Sequence, residues 1–259
     1  MKYLIPFLLL LLFQYQGPSI KILGGGAKIP QEALNLFLET PGKPLLITYE
    51  WYSKEVWNKR FGERKYDVLV LSPSINCNSV EVANIIMGAS SLMLDGGDQK
   101  FYVAIIENTL LEYVLNIRMK QVPVLATSAG SMILGEFVFS AKYGSVYSDT
   151  IDEEDENDKV TIQRFLKVPQ LKNVIVDTHF SERGREGRLR AFLDNINKDY
   201  HMSCLGLGID ESTAIILEGK QFIGLKGRSS FRVVGQGSAF LFYKGEVTQI
   251  GQEISNAHN

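Results

Sequence analysis

Apolar segments of strand length alternate along this chain with amphipathic segments of helical periodicity. The segments PLLITYEW, DVLVLS, SLMLDGG, VPVLATS and NVIVDTHF are apolar almost throughout. Helical patterns separate most of them, and residues 99–119 and 129–139 are each predicted to form one helix. Strands that are apolar on both faces belong to parallel sheets with helices on either side. The pattern therefore predicts an α/β fold with a doubly wound parallel sheet covered by helices on both faces.

Beyond Cys204 the pattern changes. Segments such as QFIGLKG, SFRVVG and SAFLFYKGE are strand-like and are joined by short glycine-rich turns. Such spacing is typical of antiparallel hairpins, so we expect a C-terminal antiparallel β extension. Because neither a repeat nor a linker divides residues 20–259, we interpret them as one domain.

The N-terminal stretch MKYLIPFLLLLLFQYQGPS is of a different kind. Its apolar run, Leu4 to Phe13, has ten residues, whereas a bilayer-spanning helix needs about 20. A run of this length suits the apolar region of a secretory signal. We therefore expect residues 1–19 to be a signal peptide and the protein to be exported, or tethered if the segment is not cleaved. The alternative is a buried first strand.

Charge and motif content argue against several other classes of protein. A net charge of −2 over 259 residues gives no electrostatic basis for binding nucleic acid or an anionic membrane. Cys77 and Cys204 lack metal-site spacing and could pair only if the fold brings them together. The GGG after the first strand is not a dinucleotide-binding motif, so we expect no cofactor and no metal. The acidic segment 148–159 is a solvated loop or flanks a site for cationic material.

The stretch VLATSAGSMILGEF places Ser128 between an apolar strand and a helical segment. A serine in a strand–turn–helix junction is a nucleophile elbow, which requires small neighbours; here they are Ala126, Ala129 and Gly130. The elbow exposes the serine hydroxyl and aims the Ala129 N–H at the same place, where the helix dipole favours an oxyanion. The alternative is that Ser128 merely caps the helix.

A nucleophilic serine needs a base, and the chain has three histidines. His258 is the penultimate residue and His201 lies in a polar connection, whereas His179 closes an apolar strand. Sites in α/β sheets form at the carboxyl ends of strands, so we predict that His179 is the base rather than a structural histidine. The base also needs an orienting carboxylate, for which Asp177, Asp210 and Glu211 are all candidates by spacing.

Four motifs in fixed order, GGDQ (96–99), TSAGS (127–131), DTHFSERGREGRL (177–189) and GLGIDESTA (206–214), resemble cyanophycinases. These are serine exopeptidases of peptidase family S51, related to the aspartyl dipeptidase peptidase E. The resemblance implies a flavodoxin-like fold, similar to that of class I glutamine amidotransferases, and an association into homodimers.

The resemblance also implies roles for single residues. It makes Ser128 the nucleophile, His179 the base and Glu211 the third member, with Gly97 and Ala129 as the oxyanion N–H donors. Thr178 stands where the family commonly has glutamine, and we expect its shorter side chain either to relax or to change the choice of substrate. The implied substrate-binding residues are Gln99, Asp177, Thr178, Arg183, Arg185 and Arg188.

The three arginines can also be argued from their chemistry. They lie at the start of a predicted helix, and guanidinium groups are well suited to bidentate carboxylate binding. The alternative is that they form salt bridges with Glu182, Glu186 or the acidic segment.

We therefore expect a serine peptidase that cuts aspartyl or β-aspartyl peptide bonds through an acyl-enzyme. Its partner would be an aspartyl-containing peptide or a cyanophycin-like polymer. The alternatives are a peptidase E-like dipeptidase and an exported relative that binds peptides without cleaving them.

Overall fold

The computed structural model describes residues 19–49, 53–151, 154–219 and 230–250. The leader up to residue 18, the predicted strand QFIGLKG and His258 lie outside these residues. The strands are β1 (Lys21–Gly24), β2 (Pro44–Tyr49), β3 (Asp67–Leu71), β4 (Ser91–Leu94), β5 (Val124–Thr127), β6 (Phe137–Phe139), β7 (Ile162–Arg164), β8 (Val174–Thr178), β9 (Leu205–Ile209), β10 (Thr213–Glu218), β11 (Ser230–Gly235), β12 (Ala239–Tyr243) and β13 (Glu246–Ile250).

Helices connect most of the parallel strands, as the sequence pattern predicts. They are α1 (Gln31–Leu38), α2 (Lys54–Phe61), α3 (Val80–Gly88), α4 (Gln99–Ile106), α5 (Leu110–Arg118), α6 (Ala129–Met132), α7 (Glu154–Asn157) and α8 (Glu186–Tyr200), with a 3₁₀ turn at Pro169–Leu171.

The described strands form two sheets. The first sheet has the order β11-β10-β1-β5-β4-β2-β3. Strands β1, β5, β4, β2 and β3 are parallel to one another. Strand β10 pairs antiparallel with β1, and β11 pairs antiparallel with β10. The second has the order β13-β12-β9-β8-β6-β7, with a parallel centre and antiparallel edges. The predicted α/β class and antiparallel extension are confirmed, and the structure adds that the parallel strands are divided between two sheets.

Buried apolar residues join the two sheets. One large cluster includes Leu23 and Val124 of the first sheet together with Val176 and Leu207 of the second. Separate clusters pack α1 and α2 against the far side of the first sheet and α8 against the far side of the second. Cys77 and Cys204 belong to different clusters, and both are free thiols.

Two predicted helices are shorter than expected. The pattern over residues 99–119 predicts one helix, but the chain breaks at Asn108, which has a positive φ of 59°. Thr109 then caps α5 through the Glu112 N–H, and the Glu112 carboxylate accepts from the Asn108 N–H. The helix expected over residues 129–139 is the single turn α6, because β6 begins at Phe137.

Ser19, the last residue of the expected leader, packs against the fold. It is buried, and its carbonyl accepts from Gln170 Nε2 at 2.9 Å and from Lys21 Nζ at 3.2 Å. Its hydroxyl is 3.2 Å from the Val122 carbonyl. Ser19 therefore contacts the domain at the expected boundary between residues 19 and 20, and that boundary stays a prediction.

The tightest backbone packing is at Gly25, just after β1. A Cβ there would lie 2.1 Å from the carbonyl oxygen of Asp210 and 2.5 Å from that of Ile209. We expect Gly25→Ala to lower the free energy of unfolding by about 3 kcal/mol or more, at or above the upper end for overpacking, because only backbone atoms could yield. Urea denaturation measures the change.

Gly88→Ala is the matched control, because a Cβ at Gly88 meets nothing within 4 Å. Since Gly88 lies in a helix, this variant should be unchanged or more stable by up to about 1 kcal/mol. Equal unfolding midpoints for the two variants would contradict the packing described here.

Candidate active site

Ser128 occupies a strained turn between β5 and α6. Its backbone has φ 49° and ψ −120°. For a non-glycine residue this conformation carries a strain energy of about 1–3 kcal/mol, and residues strained in this way cluster at functional sites. The turn is held by a hydrogen bond from the Ser128 N–H to the Gly24 carbonyl at 2.9 Å. Gly130 is required behind it, because a Cβ would lie 2.5 Å from the Leu94 carbonyl oxygen. These contacts build the elbow that the sequence predicts.

His179 follows β8 and meets Ser128 across the junction of the two sheets. It also has a positive φ, 49°, and its N–H donates to the Gly25 carbonyl at 2.8 Å. Its Nε2 is 2.7 Å from Ser128 Oγ, and its Nδ1 is 2.5 Å from Glu211 Oε1. A serine, a histidine and a carboxylate are thus hydrogen-bonded in series.

The three candidate carboxylates lie in different surroundings. Asp210 is buried and accepts the backbone N–H groups of Ser181 and Ser238 at 2.9 and 3.0 Å. Asp177 is completely buried and faces arginines. Only Glu211 among the three reaches His179, and its side chain is 46% exposed.

Two backbone N–H groups beside Ser128 have no hydrogen-bond partner among the described residues. They belong to Gly97 and Ala129, the pair predicted to bind an oxyanion, and both residues line the same cavity as Ser128. Because α6 has only four residues, the long-helix dipole expected from the sequence is absent. Any stabilisation of an oxyanion here must come mainly from the N–H groups themselves.

The cavity over Ser128 has a volume of about 300 Å³. Asp177 is not among its lining residues, but it holds three residues that are: Arg185, Arg188 and, through the backbone N–H, Thr178. Lys100 and Ser145 were not singled out from the sequence but lie in its wall. The predicted residues that line it are Gly97, Gln99, Ser128, Ala129, Thr178, His179, Arg183, Arg185 and Arg188.

Asp177 and two arginines form a buried ion-pair network behind the cavity. Arg188 is 2% exposed and donates to Asp177 through Nε at 2.7 Å and through an Nη at 2.5 Å, and Arg185 donates at 3.2 Å. Burial alone would raise the pKa of Asp177, but the two arginines outweigh it and hold that pKa below its ordinary value. Burial lowers the pKa of Arg185 to about 10, which leaves it charged at neutral pH.

The arginines do not form the salt bridges with Glu182 or Glu186 that were the alternative. Glu186 pairs with Arg190, and Glu182 accepts the N–H of Glu211. Arg183 is exposed at the cavity wall and has no ion pair within the described residues. The described acidic residues of segment 148–159 do not line the cavity either.

Thr178 presents an unusual polar group. It is fully buried, it belongs to the cavity lining, and its hydroxyl has no hydrogen-bond partner in the part of the chain that the structure describes. A buried unpaired hydroxyl costs free energy unless a ligand or water satisfies it.

The environment of His179 favours the neutral imidazole. Burial lowers the pKa of His179, the positive charges of Arg183 and Arg185 lower it further, and the hydrogen bond to Glu211 partly opposes them. A neutral imidazole near pH 7 can accept a proton, as a base must.

The sequence reasoning missed the role of Gly24 to Gly26. The Gly24 carbonyl accepts from Ser128, the Gly25 carbonyl accepts from His179, and a Cβ on Gly26 would lie 3.0 Å from the Glu211 side chain. Three glycines directly after a buried strand were the available signal, since they allow such close backbone approach.

The described ranges lack two features that would point to other kinds of site. They contain no group of three or more His, Cys, Asp or Glu side chains that could hold a metal ion. None of their helices is both long enough and apolar enough to cross a membrane.

The chain matches the model of peptidase family S51 over residues 44–225, and it belongs to that family. Cyanophycinases from Trichormus variabilis and Synechococcus elongatus are 25% and 29% identical over 178 and 175 residues. These alignments cover 68% and 67% of this chain but 55% and 50% of the relatives. The chain therefore spans about half the length of the curated relatives it matches.

Solved structures establish the shared fold. A peptidase from an acI-B1 actinobacterium superposes with a TM-score of 0.64 at 18% identity, over 93% of this chain and 98% of that one. A putative peptidase E from Listeria monocytogenes gives a TM-score of 0.50 at 12% identity, over 85% and 100%. The family and the fold class predicted from the four motifs are confirmed.

The charges around His179 make a prediction that is independent of any substrate. The imidazole should titrate below the ordinary histidine pKa of about 6.5. Arg183→Gln should raise its pKa, because a cation that disfavours protonation is removed. Glu211→Gln should lower it, because an anion that favours protonation is removed. NMR titration of the His179 ring resonances measures this pKa in the wild type and in both variants. Shifts in the same direction for the two variants would contradict the described environment.

Proposed function

We propose that this chain is a serine-type peptidase in which Ser128 is the nucleophile, His179 the general base and Glu211 its orienting carboxylate. The observation that carries the proposal is the series of hydrogen bonds Ser128 Oγ–His179 Nε2–Glu211 Oε1, at 2.7 and 2.5 Å, in a strained elbow. Membership of a peptidase family supports it. A serine that only capped a helix would not need such a partner, and Ser128 makes no side-chain cap bond.

The proposed reaction has two halves. Ser128 Oγ attacks the scissile carbonyl carbon while its proton passes to His179 Nε2, and the Gly97 and Ala129 N–H groups bind the carbonyl oxygen as it becomes an oxyanion. Collapse of the adduct breaks the C–N bond, and the departing amine takes the proton from Nε2. Water then attacks the acyl-enzyme with His179 again as base and releases the acid and free Ser128.

We further propose that the substrate is an aspartyl or β-aspartyl peptide. Lys100, Arg183 and Arg185 line the cavity with Asp98 as the opposing charge, and the buried Arg188 is paired with Asp177. Guanidinium groups bind carboxylates bidentately, so a free carboxylate on the substrate would find partners there. A volume of about 300 Å³ is at the lower end for ligand pockets and favours a short peptide over a long segment. A cyanophycin-like polymer should be tested as a substrate beside the short peptides.

Ser128→Ala tests the nucleophile. We expect kcat to fall by about 10⁶, because the members of such a unit act together. His179→Ala should cost a similar factor, and the double variant little more. The measurement is a screen of aspartyl and β-aspartyl peptides with product identification by mass spectrometry. Ser74→Ala, which changes an exposed serine outside the cavity, is the matched control. A Ser128→Ala protein with a tenth of the wild-type activity would disprove the mechanism.

Arg183→Gln tests recognition of the substrate carboxylate. We expect kcat/KM to fall about 10-fold, or ~1.4 kcal/mol, for a substrate with a free carboxylate, because an unpaired cation at the cavity wall is lost. An amidated substrate should react poorly and lose little more. Arg183→Lys should restore only part of the activity, since ammonium lacks the planar fork.

Arg190→Gln is the matched control for Arg183, because Arg190 pairs with Glu186 and does not line this cavity. Equal losses on the free and amidated substrates would show that Arg183 does not bind the carboxylate.

We also propose that the protein is exported, since residues 1–19 carry the apolar run, and that it forms homodimers as the family resemblance implies. Both remain predictions. Mass spectrometry of the native N-terminus tests the first, and an intact Met1 in a soluble cytosolic fraction would refute it. Light scattering of the purified protein tests the second.

A further inference from the structure

The turn that carries Gly97 is fixed by its neighbours from several sides. It spans residues 95–98, between β4 and α4. The Asp95 N–H donates to the Ile47 carbonyl at 3.0 Å, and the Asp95 carbonyl accepts the hydroxyl of the buried Tyr102 at 2.9 Å. At the other end, the Asp98 carbonyl accepts the Tyr49 hydroxyl at 2.9 Å. The ends of the turn are therefore anchored, and only its two glycines lack side chains to hold them.

The Asp95 carboxylate supplies the missing restraint on those glycines. Its Oδ1 accepts the N–H of Gly96 at 2.8 Å. Its Oδ2 accepts Thr48 Oγ1 at 3.0 Å and Trp57 Nε1 at 2.9 Å. Both donors are 2% exposed, so two buried side chains anchor the half-buried carboxylate, which in turn restrains the Gly96 peptide group.

Gly96 is also the part of this turn that meets the elbow. A Cβ at Gly96 would lie 3.3 Å from the Ser128 Cβ, and the following residue, Gly97, has a positive φ of 131°. Two successive glycines are the most freely rotating pair of residues, so their peptide planes need external restraint. The next N–H group along the chain, that of Gly97, has no partner among the described residues and lines the cavity.

We propose that Asp95 is a positioning residue that orients the Gly97 N–H toward the oxyanion formed on Ser128. The inference rests on the proposed function, because it needs a reaction at Ser128 to have a catalytic consequence. Asp95 acts through Gly96 and does not touch the substrate.

A fluorophosphonate probe tests this without knowledge of the peptide substrate. Ser128 Oγ forms a bond to phosphorus, fluoride leaves, the serine proton passes to His179, and the phosphoryl oxygen occupies the oxyanion position. The rate of labelling then depends on the oxyanion donors, whereas the final stoichiometry depends only on Ser128.

Asp95→Ala should label Ser128 about 10- to 100-fold more slowly, since losing an entire oxyanion donor costs about 10²- to 10³-fold. The final stoichiometry should equal that of the wild type. On a peptide substrate the loss should fall on kcat and leave KM unchanged, because the Gly97 N–H acts in the transition state.

Trp57→Phe is the matched control, because it removes one of the two donors to Asp95 Oδ2 and leaves the Thr48 donor and the Gly96 contact to hold the carboxylate. Its thermal stability should fall while its labelling rate stays within about twofold of the wild type, since the oxyanion donors are untouched.

In Asp95→Asn a single acceptor oxygen must serve either the Gly96 N–H or the side-chain donors Thr48 and Trp57. We therefore expect this variant to be labelled slowly. The double variant Trp57→Phe with Asp95→Asn frees that oxygen for the Gly96 N–H, while the amide can donate to Thr48 Oγ1. It should regain most of the wild-type rate. This rescue does not depend on whether Asp95→Ala folds, because both asparagine variants retain a side chain of the same shape.

The outcomes separate the two proposals. Failure of the wild type to label at Ser128 would overturn the proposed function and this inference with it. Labelling of the wild type together with an unchanged rate in Asp95→Ala or Asp95→Asn would overturn the inference alone. Slow labelling in Trp57→Phe equal to that in Asp95→Ala would assign the effect to general destabilisation and would overturn it as well.

Discussion

The two carbonyl groups at the end of β1 hold both halves of the candidate site. The Gly24 carbonyl accepts the N–H of Ser128 from the first sheet, and the Gly25 carbonyl accepts the N–H of His179 from the second. Gly24 is the last residue of β1 and Gly25 follows it, so two adjacent carbonyls bring the backbones of Ser128 and His179 together, and their side chains meet at 2.7 Å. The absence of side chains at Gly25 and Gly26 lets the segment around Asp210 and Glu211 close over the same point.

Charge is distributed unevenly around this junction. Asp177, fully buried, is paired with Arg185 and Arg188, so the network behind the cavity has excess positive charge. Burial lowers the pKa of His179, the positive charges of Arg183 and Arg185 lower it further, and Glu211 opposes them from a half-exposed position. The same arginines can thus attract a carboxylate to the cavity wall and favour the neutral imidazole, the form that can act as a base.

The sequence predicted the elements whose signals are local. Apolar runs identified the parallel strands, and small residues around Ser128 identified the elbow. The break at Asn108 also had a local signal, the Thr109–Glu112 capping box, which the long amphipathic pattern concealed. The helix expected after Ser128 failed because the apolar residues 137–139 pair with β7 and β8, partners far along the chain.

Other features depend on contacts that the sequence does not encode locally. The division of the parallel strands between two sheets follows from which edges pair. Whether Asp177, Asp210 or Glu211 faces His179 depends on where each strand ends, and only the structure shows that Asp210 is occupied by backbone N–H groups. Asp95 carried no motif, because its partners Thr48 and Trp57 come from other elements.

The central claim is that Ser128 forms an acyl-enzyme, and the most direct test is to isolate it. An activated ester of an aspartyl group acylates quickly, so the intermediate should accumulate before hydrolysis and survive acid quenching. Mass spectrometry of the proteolytic fragment that contains Ser128 should show the added acyl group, absent from Ser128→Ala. Turnover of the ester with no adduct on that fragment, or with the adduct on another residue, would contradict the account.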